Sequence, residues 1–523
     1  MKLKLIALLS FTVIFLAACS DMSNMDHSKM NMSNSSTEQE EEKLSETKTT
    51  ATQVISENEI TLVAKEAAHQ LNNSTVVNAW TFNGSVPGSQ IRVQEGEDIT
   101  IHLKNELKDP VSIHWHGLPI PNAMDGIPGV TQNAVQPGET FTYEFTATVT
   151  GTYMYHTHQD GVNQLDKGLY GSLIVEPANK TYDRDYSLML DEWMSDPQDS
   201  SMSDMEDMDH GKMNDKEKEN QDSQNSMSME GMGHNMDGYD IFTINGKSGD
   251  LIEPLKVKEG EKVRIRLANI GFMSHKIHLH GHQFKVVAID GQELNAPQEL
   301  ENQLLSIAPG ERYDIEFIAD NPGVWYLECH GEMTGTEGMK TKIQYEGYTE
   351  SKDKPNPKEK LPEFNFNDYG EAKSGFFEVN QQYDLEYTMN LNTQMEKKEM
   401  VYTINGKTFP ETENIIVKEG DNVKVKLVNN SSTDDHPMHL HGQFFQVLSK
   451  NGKPIKGSPI IKDTINIKPG EEYEIAFKAD NPGNWLFHCH DLHHAAAGMV
   501  TQVKYEGFKP DFNPDPEANN KPE

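Results

Sequence analysis

The run Phe242-Thr243-Ile244-Asn245-Gly246-Lys247 returns further along the chain as Tyr402-Thr403-Ile404-Asn405-Gly406-Lys407, and Val257-Lys258-Glu259-Gly260 returns as Val417-Lys418-Glu419-Gly420. An internal repeat restricts a chain to tandem copies of one folding unit. A looser third copy lies upstream, in Phe82-Asn83-Gly84 and Val93-Gln94-Glu95-Gly96. In all three copies a Pro-Gly-Glu turn, at Pro137, Pro309 and Pro469, leads into an alternating segment such as Tyr313-Asp314-Ile315-Glu316-Phe317. Short alternating segments bounded by Gly and Pro turns predict strands of β-sandwiches. Helical periodicity is nearly absent, so the fold class expected is all-β, with three Greek-key β-sandwich domains.

The rest of the chain is polar. Apolar residues make up 35% of the 523, below the roughly 45–50% of ordinary globular proteins, which predicts solvated tails and linkers. Lys+Arg 46 against Asp+Glu 82 gives −36, a charge that repels phosphate backbones and excludes nucleic acid as a partner. Three cysteines, Cys19, Cys329 and Cys489, cannot build a disulfide framework. At the start, Lys2 and Lys4 precede an apolar run from Leu5 to Ala18, short for a membrane span but suited to a signal peptide. That run ends Leu16-Ala17-Ala18-Cys19, which resembles a bacterial lipobox. The resemblance implies lipidation of Cys19 and anchoring on the outer face of the bacterial cell membrane after export; a plain secretory signal is the competing reading. The expected organisation is a signal peptide 1–18, a flexible lipoprotein tail 19–52, domains at 53–179, 180–350 and 381–509, a linker 351–380 and a tail 510–523. A Met- and His-rich insertion, 195–237, interrupts the second domain.

Histidines cluster at four places: His114-Trp115-His116, His156-Thr157-His158, His436-Pro437-Met438-His439-Leu440-His441, and His488-Cys489-His490 followed by His494 and Met499. In a strand, His-x-His puts both imidazoles on one face and forms a metal clamp. Two imidazoles, a thiolate and a distant thioether form a blue-copper site, and His436, Cys489, His494 and Met499 supply that set. His114, His116, His156, His158, His439, His441, His488 and His490 then remain, enough for three further coppers. Zinc is the competing metal, but a structural zinc site has no use for an axial Met or eight spare imidazoles.

These motifs resemble those of three-domain bacterial multicopper oxidases, the laccase-like and copper-tolerance group, over most of the mature chain. The matching runs are His114 to Gly117, His156 to His158, His436 to Gly442 and His488 to Met499. The resemblance implies three cupredoxin-like domains and four copper ions, one type 1, one type 2 and two type 3. It places the type 1 ion on His436, Cys489, His494 and Met499, and the type 2 ion on His114 and His439. The type 3 pair falls to His116, His156, His158, His441, His488 and His490. It further implies a monomer that draws single electrons from a reducing substrate and uses four of them to reduce dioxygen to water, Cys489 carrying the electrons. In the family an acid after the first motif delivers protons; Asp125 stands there, with a turn Asp before Gly126 as the alternative. Where several bacterial relatives have a Glu after the type 1 His, this chain has Ala495.

The middle copy reads His275-Lys276-Ile277-His278-Leu279-His280 and Glu328-Cys329-His330, with Thr334 where His494 stands and Met339 where Met499 stands. This is read as a relic of duplication, the alternative being an auxiliary Cu(I) site of His275, Cys329 and Met339. For the electron donor, Cu(I) is expected, because the insertion is rich in soft thioethers and Asp434-Asp435 precede His436. A low-complexity linker and a solvated loop are the plain readings of those two features. Laccase-type oxidation of phenols and a copper-sequestering lipoprotein are the alternative functions. A structural family member would lack the copper ligands, and a nitrite reductase would have two domains per chain.

Overall fold

A computed structural model describes residues 44–195, 236–351, 353–396 and 399–522. The expected signal peptide, Cys19 and all but the ends of the insertion lie outside the described residues. Six sheets form three β-sandwiches, and the described residues hold two α-helices, Gly161–Leu165 and Leu492–Ala496.

Each sandwich repeats one plan. The strand Glu59–Gln70 runs antiparallel to Val76–Phe82 and parallel to Asp98–Asn105. Arg184–Met194 pairs in the same way with Tyr239–Ile244 and Lys262–Asn269, and Leu385–Glu396 with Glu399–Ile404 and Asn422–Asn429. The repeated Asn-Gly turn follows from this plan. Asn83, Asn245 and Asn405 have φ of 60°, 52° and 52°, and the glycines after them are also left-handed, as a tight turn of that hand requires. The Asn side chains repeat as well, accepting the backbone N–H of Val63, Met189 and Asn390 at 2.8, 2.8 and 2.9 Å.

The opposite sheets carry the histidines. In the third sandwich the order is Ile415–Val417, Val500–Tyr505, Asn484–Cys489, His436–Leu440 and Thr464–Ile467, and the second sandwich has the equivalent order. Alternating side chains fill the space between sheets: Leu62, Ile101 and Tyr143 from one sheet meet Ile91 and Leu173 from the other, all fully buried. Each such aliphatic side chain contributes roughly 1.5–3 kcal/mol. The cores of the second and third sandwiches are continuous.

Three segments expected to be loose are fastened. The end of the expected N-terminal tail is held by Thr49 N–H to Ala68 O and Thr50 N–H to Gly84 O, at 3.0 and 2.8 Å. Of residues 351–380, expected as a linker, the stretch 353–380 lies against the second sandwich through Phe364 N–H to Leu304 O and Tyr369 O–H to Gln298 O. The expected C-terminal tail docks on the first sandwich, where Gln159 donates to Asn519 O at 2.8 Å and Lys521 N–H donates to Gln159 Oε1 at 2.8 Å. In each case backbone groups of a polar segment find hydrogen-bond partners on a sandwich, which composition does not reveal.

Candidate metal centre

Eight imidazoles converge between the first and third sandwiches. Ladder pairing sets His114 opposite His156 in one sheet and His439 opposite His488 in the other. The two sets then face each other. His114 stacks on His441 with centroids 3.9 Å apart and His116 on His439 at 3.8 Å, while His158 meets His488 and His156 meets His490 edge-on, both at 5.3 Å. None is more than 1% exposed.

Each stacked pair is bridged by a carboxylate. Asp125 Oδ1 lies 3.2 Å from His114 Nδ1 and its Oδ2 lies 3.0 Å from His441 Nδ1. Asp463 Oδ1 lies 3.2 Å from His116 Nε2 and 3.4 Å from His439 Nδ1, with Thr464 Oγ1 close to both nitrogens. Asp463 is itself gripped by the buried Arg312, at 2.7 and 2.5 Å. Burial raises the Asp463 carboxyl, but Arg312 and the two imidazoles outweigh it and hold the group well below the usual carboxylate range. The arrangement explains the glycine ending the first motif: Gly117 has φ of 85°, and a Cβ there would strike the Arg312–Asp463 pair. Gly126 follows Asp125 for the same reason, its φ being 81° and its missing Cβ directed at Ile113 O.

The ring orientations suit metal ions. Backbone carbonyls, which only accept, take the Nδ1–H of His114 (Asp125 O, 3.0 Å), His156 (Thr157 O, 2.8 Å), His158 (Pro522 O, 2.5 Å), His439 (Asp463 O, 3.0 Å) and His488 (Cys489 O, 2.9 Å). That leaves Nε2 of each as a lone pair aimed into the chamber, which is how metal-binding histidines are oriented. His114 Nε2, His116 Nδ1, His156 Nε2, His439 Nε2 and both nitrogens of His490 have no hydrogen-bond partner, a costly state for buried polar atoms unless an ion lies between them. Burial, reinforced by neighbouring rings, pushes the pKa of His156, His158, His441, His488 and His490 well below the usual imidazole value, so the lone pairs are available at neutral pH. Three-residue groups with ligand atoms within 4.8 Å of one another include His158, His441 and His488, and also His114, His439 and His441.

On the other face of the strand Asn484–Cys489 lies the thiolate set. Cys489 Sγ is 4.0 Å from His436 Nδ1 and 3.6 Å from His494 Nδ1, and those two nitrogens are 3.3 Å apart. His494 rides on the helix Leu492–Ala496, whose N-cap Asp491 accepts from His493 N–H. Met499 is fully buried, and its carbonyl accepts from Cys489 N–H at 3.0 Å, which keeps the two residues side by side. All twelve metal-ligating residues expected from the sequence are therefore gathered at these two places. Asp125 is there too, in contact with two of the imidazoles. Asp463, Thr464, Arg312 and Pro522 carry no sequence signal of their own; only the fold brings them to the histidines.

Beside His494 opens a cavity of about 340 Å³ lined by Met236, Met273, Met333, Asp434, Asp435 and Asp491. Asp491 Oδ2 sits 3.3 Å from His494 Nε2, so the imidazole edge reaches the cavity through a carboxylate. Met236 is a described residue of the Met-rich insertion. A larger cavity of about 930 Å³, bordered by Met124, Phe141 and Phe508, includes none of the histidines.

In the middle sandwich the scaffold of the thiolate set survives without its chemistry. Cys329 N–H donates to Met339 O at 2.9 Å, and Cys329 Sγ is 3.8 Å from His275 Nδ1. The outer nitrogen of His275 faces Glu192 Oε2 at 2.9 Å, and although burial lowers its pKa, Cys329 and Glu192 raise it to about 10. A metal ion would have to displace that proton to bind, and Thr334 stands where the third sandwich has His494.

Sequence profiles described as multicopper oxidase match residues 63–180, 203–347 and 378–507. A multicopper oxidase of Mycobacterium tuberculosis is 32% identical, the match covering 82% of this chain and 84% of the relative. A copper resistance protein A of Escherichia coli is 24% identical over 82% and 89% of the two chains. Among solved structures, a multicopper oxidase from Pseudomonas thermotolerans matches 86% of this chain and 100% of its own, with a TM-score of 0.62 and 25% identity.

Proposed function

Because the chain belongs to the multicopper oxidase family, and is thus an oxidoreductase that passes electrons to oxygen, we propose that its reducing substrate is Cu(I) and that it serves copper tolerance. The observation that carries this reading is the cavity beside His494, where three thioethers and three carboxyl groups surround the imidazole edge. Thioether sulfur is a soft ligand that favours Cu(I), whereas carboxylates suit the Cu(II) product. Burial raises the Asp435 carboxyl, with Asn466 donating to it at 2.8 Å; Asp491 touches His494 itself. The copper resistance protein among the relatives supports the same assignment.

In this proposal four copper ions are held. His436, Cys489, His494 and Met499 hold the type 1 ion, and His114 and His439 the type 2 ion. His158, His441 and His488 hold one type 3 ion, and His116, His156 and His490 the other. Bound copper supplies one-electron chemistry and the four-electron reduction of dioxygen to water. The chain supplies the connections. Cys489 presents sulfur to one face of its strand while its neighbours His488 and His490 turn to the other, so one covalent path joins the two sets. The Nδ1–H of His488 also donates to Cys489 O at 2.9 Å, a hydrogen-bonded shortcut along that path. Asp125 fixes His114 and His441 and stands where a proton donor to the chamber is needed. Water is kept from the chamber by the burial of every imidazole in it. Export and anchoring through Cys19 complete the proposal and put the reaction outside the cytoplasm.

The test replaces Met273 and Met333 together by Leu. Turnover with Cu(I), as kcat/KM, should fall by about tenfold or more, equivalent to about 1.4 kcal/mol, while turnover with a phenol stays within about twofold. Equal losses with both donors would contradict the assignment of the cavity to Cu(I) and favour a laccase-type phenol oxidase. A protein that binds copper but consumes no oxygen with either donor would be a sequestering protein instead.

A further inference from the structure

The middle sandwich holds a second group of metal-binding character, on the face of its strands opposite Cys329. His278, His280 and His330 place one ring nitrogen each within 4.8 Å of one another. Ladder pairing puts His278 opposite Glu328, whose carboxylate Oε1 lies 3.1 Å from His280 Nε2 and 3.6 Å from His330 Nε2. All four side chains are at least nine-tenths buried, at 4%, 8%, 5% and 1% exposure for His278, His280, His330 and Glu328.

Three features separate this group from an ordinary buried polar cluster. Neither ring nitrogen of His278 makes a well-formed hydrogen bond, although Asn302 lies close enough to interact, and His330 Nε2 also lacks one. The outer nitrogens of the other two rings are anchored. His330 Nδ1–H donates to Glu359 O at 2.9 Å, while His280 Nδ1 makes an ion-pair contact with Asp353 Oδ2 at 2.9 Å without a formed hydrogen bond, its Nε2 being hydrogen-bonded to Glu328. A ring fixed on its outer nitrogen by oxygen, with the inner nitrogen turned to a shared point, is the orientation of metal-ligating histidines. Finally, the donors face inward together. These positions match His439, His441, His488 and His490 of the third sandwich, but with Glu328 replacing His488. The first sandwich is not their partner; the segment carrying Asp353 and Glu359 closes the group, with Gly331 N–H donating to Pro357 O at 2.9 Å.

We propose that His278, His280, His330 and Glu328 form a mononuclear site for a divalent first-row transition ion, separate from the four coppers. Three imidazoles, each offering one nitrogen, and one carboxylate give four N/O donors. Without a thiolate or thioether, the set suits Zn(II) or Cu(II) rather than Cu(I). An ion here would engage one ring nitrogen each of His278 and His330 and tie the segment of Asp353 to the sandwich.

The test adds Zn(II) to the copper-loaded full-length protein and counts retained zinc after dialysis, in wild type and in the variants His278→Ala and Glu328→Gln. Correct folding of each variant is checked by near-ultraviolet circular dichroism. Histidines elsewhere also take up zinc, so the reading is the difference between wild type and variant. One tight equivalent should be present in wild type and bind at least about 100-fold more weakly in both variants, with X-ray absorption of that equivalent showing imidazole nitrogen and oxygen but no sulfur. A Cu(II) titration should lose the same equivalent. Identical zinc retention in wild type and both variants would overturn the site. Sulfur in the shell of the equivalent would also overturn it, by moving the ion to Cys329. Because zinc retention does not involve the oxidase reaction, either result leaves the proposed Cu(I) activity to be judged separately.

Discussion

Asp125 Oδ2 stands 3.0 Å from Nδ1 of His441, so a carboxylate of the first sandwich fixes an imidazole of the third. Asp463 does the converse, reaching from the third sandwich to His116 at 3.2 Å. The chamber is held from both sides by carboxylates that sequence spacing does not pair with their histidines.

In Asp125→Asn an NH2 replaces one carboxylate oxygen and cannot accept, so the carboxylate bridge between His114 and His441 is broken, although His114 Nδ1–H keeps the residue's backbone carbonyl. Copper retention in the chamber, measured by competition with a chelator, should weaken about 10- to 100-fold, the usual effect of losing an outer partner of a metal ligand. The blue absorption of the Cys489 centre should persist. Unchanged retention with a shifted pH profile of turnover would assign Asp125 to proton delivery alone.

Replacing Asp463 by Ala leaves the buried Arg312 with the carbonyls of Thr152 and Gly310 and, as its nearest remaining carboxylate among the described residues, Asp290 at 3.6 Å. Breaking a buried ion pair from one side costs about 3–5 kcal/mol. Urea unfolding of the metal-free protein should show a loss of that order. A loss below about 1 kcal/mol would mean that water reaches Arg312.

The C-terminal segment is tied to the centre by Pro522 O, which accepts from His158 Nδ1. Truncation after residue 509 should therefore lower copper occupancy of the chamber while the blue absorption remains. Full occupancy in the truncated chain, by metal analysis, would show the contact to be dispensable.

His69 titrates apart from the metal sites. Its Nε2–H donates to Gly246 O at 2.6 Å and its Nδ1 is 3.0 Å from Thr49 Oγ1. Burial first, and Lys247 second, lower its pKa from 6.5 to about 4. Between those values the unfolded chain binds more protons than the folded one, so the contribution is whole above about 6.5 and is lost as pH falls toward about 4. Stability of the metal-free protein should drop on acidification through this window, and His69→Gln should flatten the slope by up to about 1.4 kcal/mol per pH unit. An unaltered slope in the variant would place its pKa near the ordinary value.

The repeat made the sandwiches legible because Asn-Gly turns and alternating strands are local. The convergence of the twelve candidate residues was legible because His-x-His and His-Cys-His put same-face side chains two residues apart, and pairing between strands does the rest. Asp463 and Arg312 were not, since a carboxylate and a guanidinium from different sandwiches share no spacing. In the middle copy, Thr334 in place of His494 and Glu328 in place of His488 are both visible in the sequence; that His278, His280 and His330 gather beside Glu328 depends on the pairing of their strands. The C-terminal residues looked like a tail because hydrogen bonds through backbone carbonyls leave no mark on side-chain composition.

The most direct measurement supplies the copper-loaded protein with Cu(I) in limiting oxygen and records both, in wild type and in Cys489→Ser. The predicted result is four Cu(I) oxidised for each dioxygen, no hydrogen peroxide released, and the loss of both this turnover and the blue absorption in the variant. Two Cu(I) per dioxygen with peroxide accumulating, or full turnover without the sulfur, would contradict electron transfer from the Cys489 centre to a chamber that completes the reduction to water.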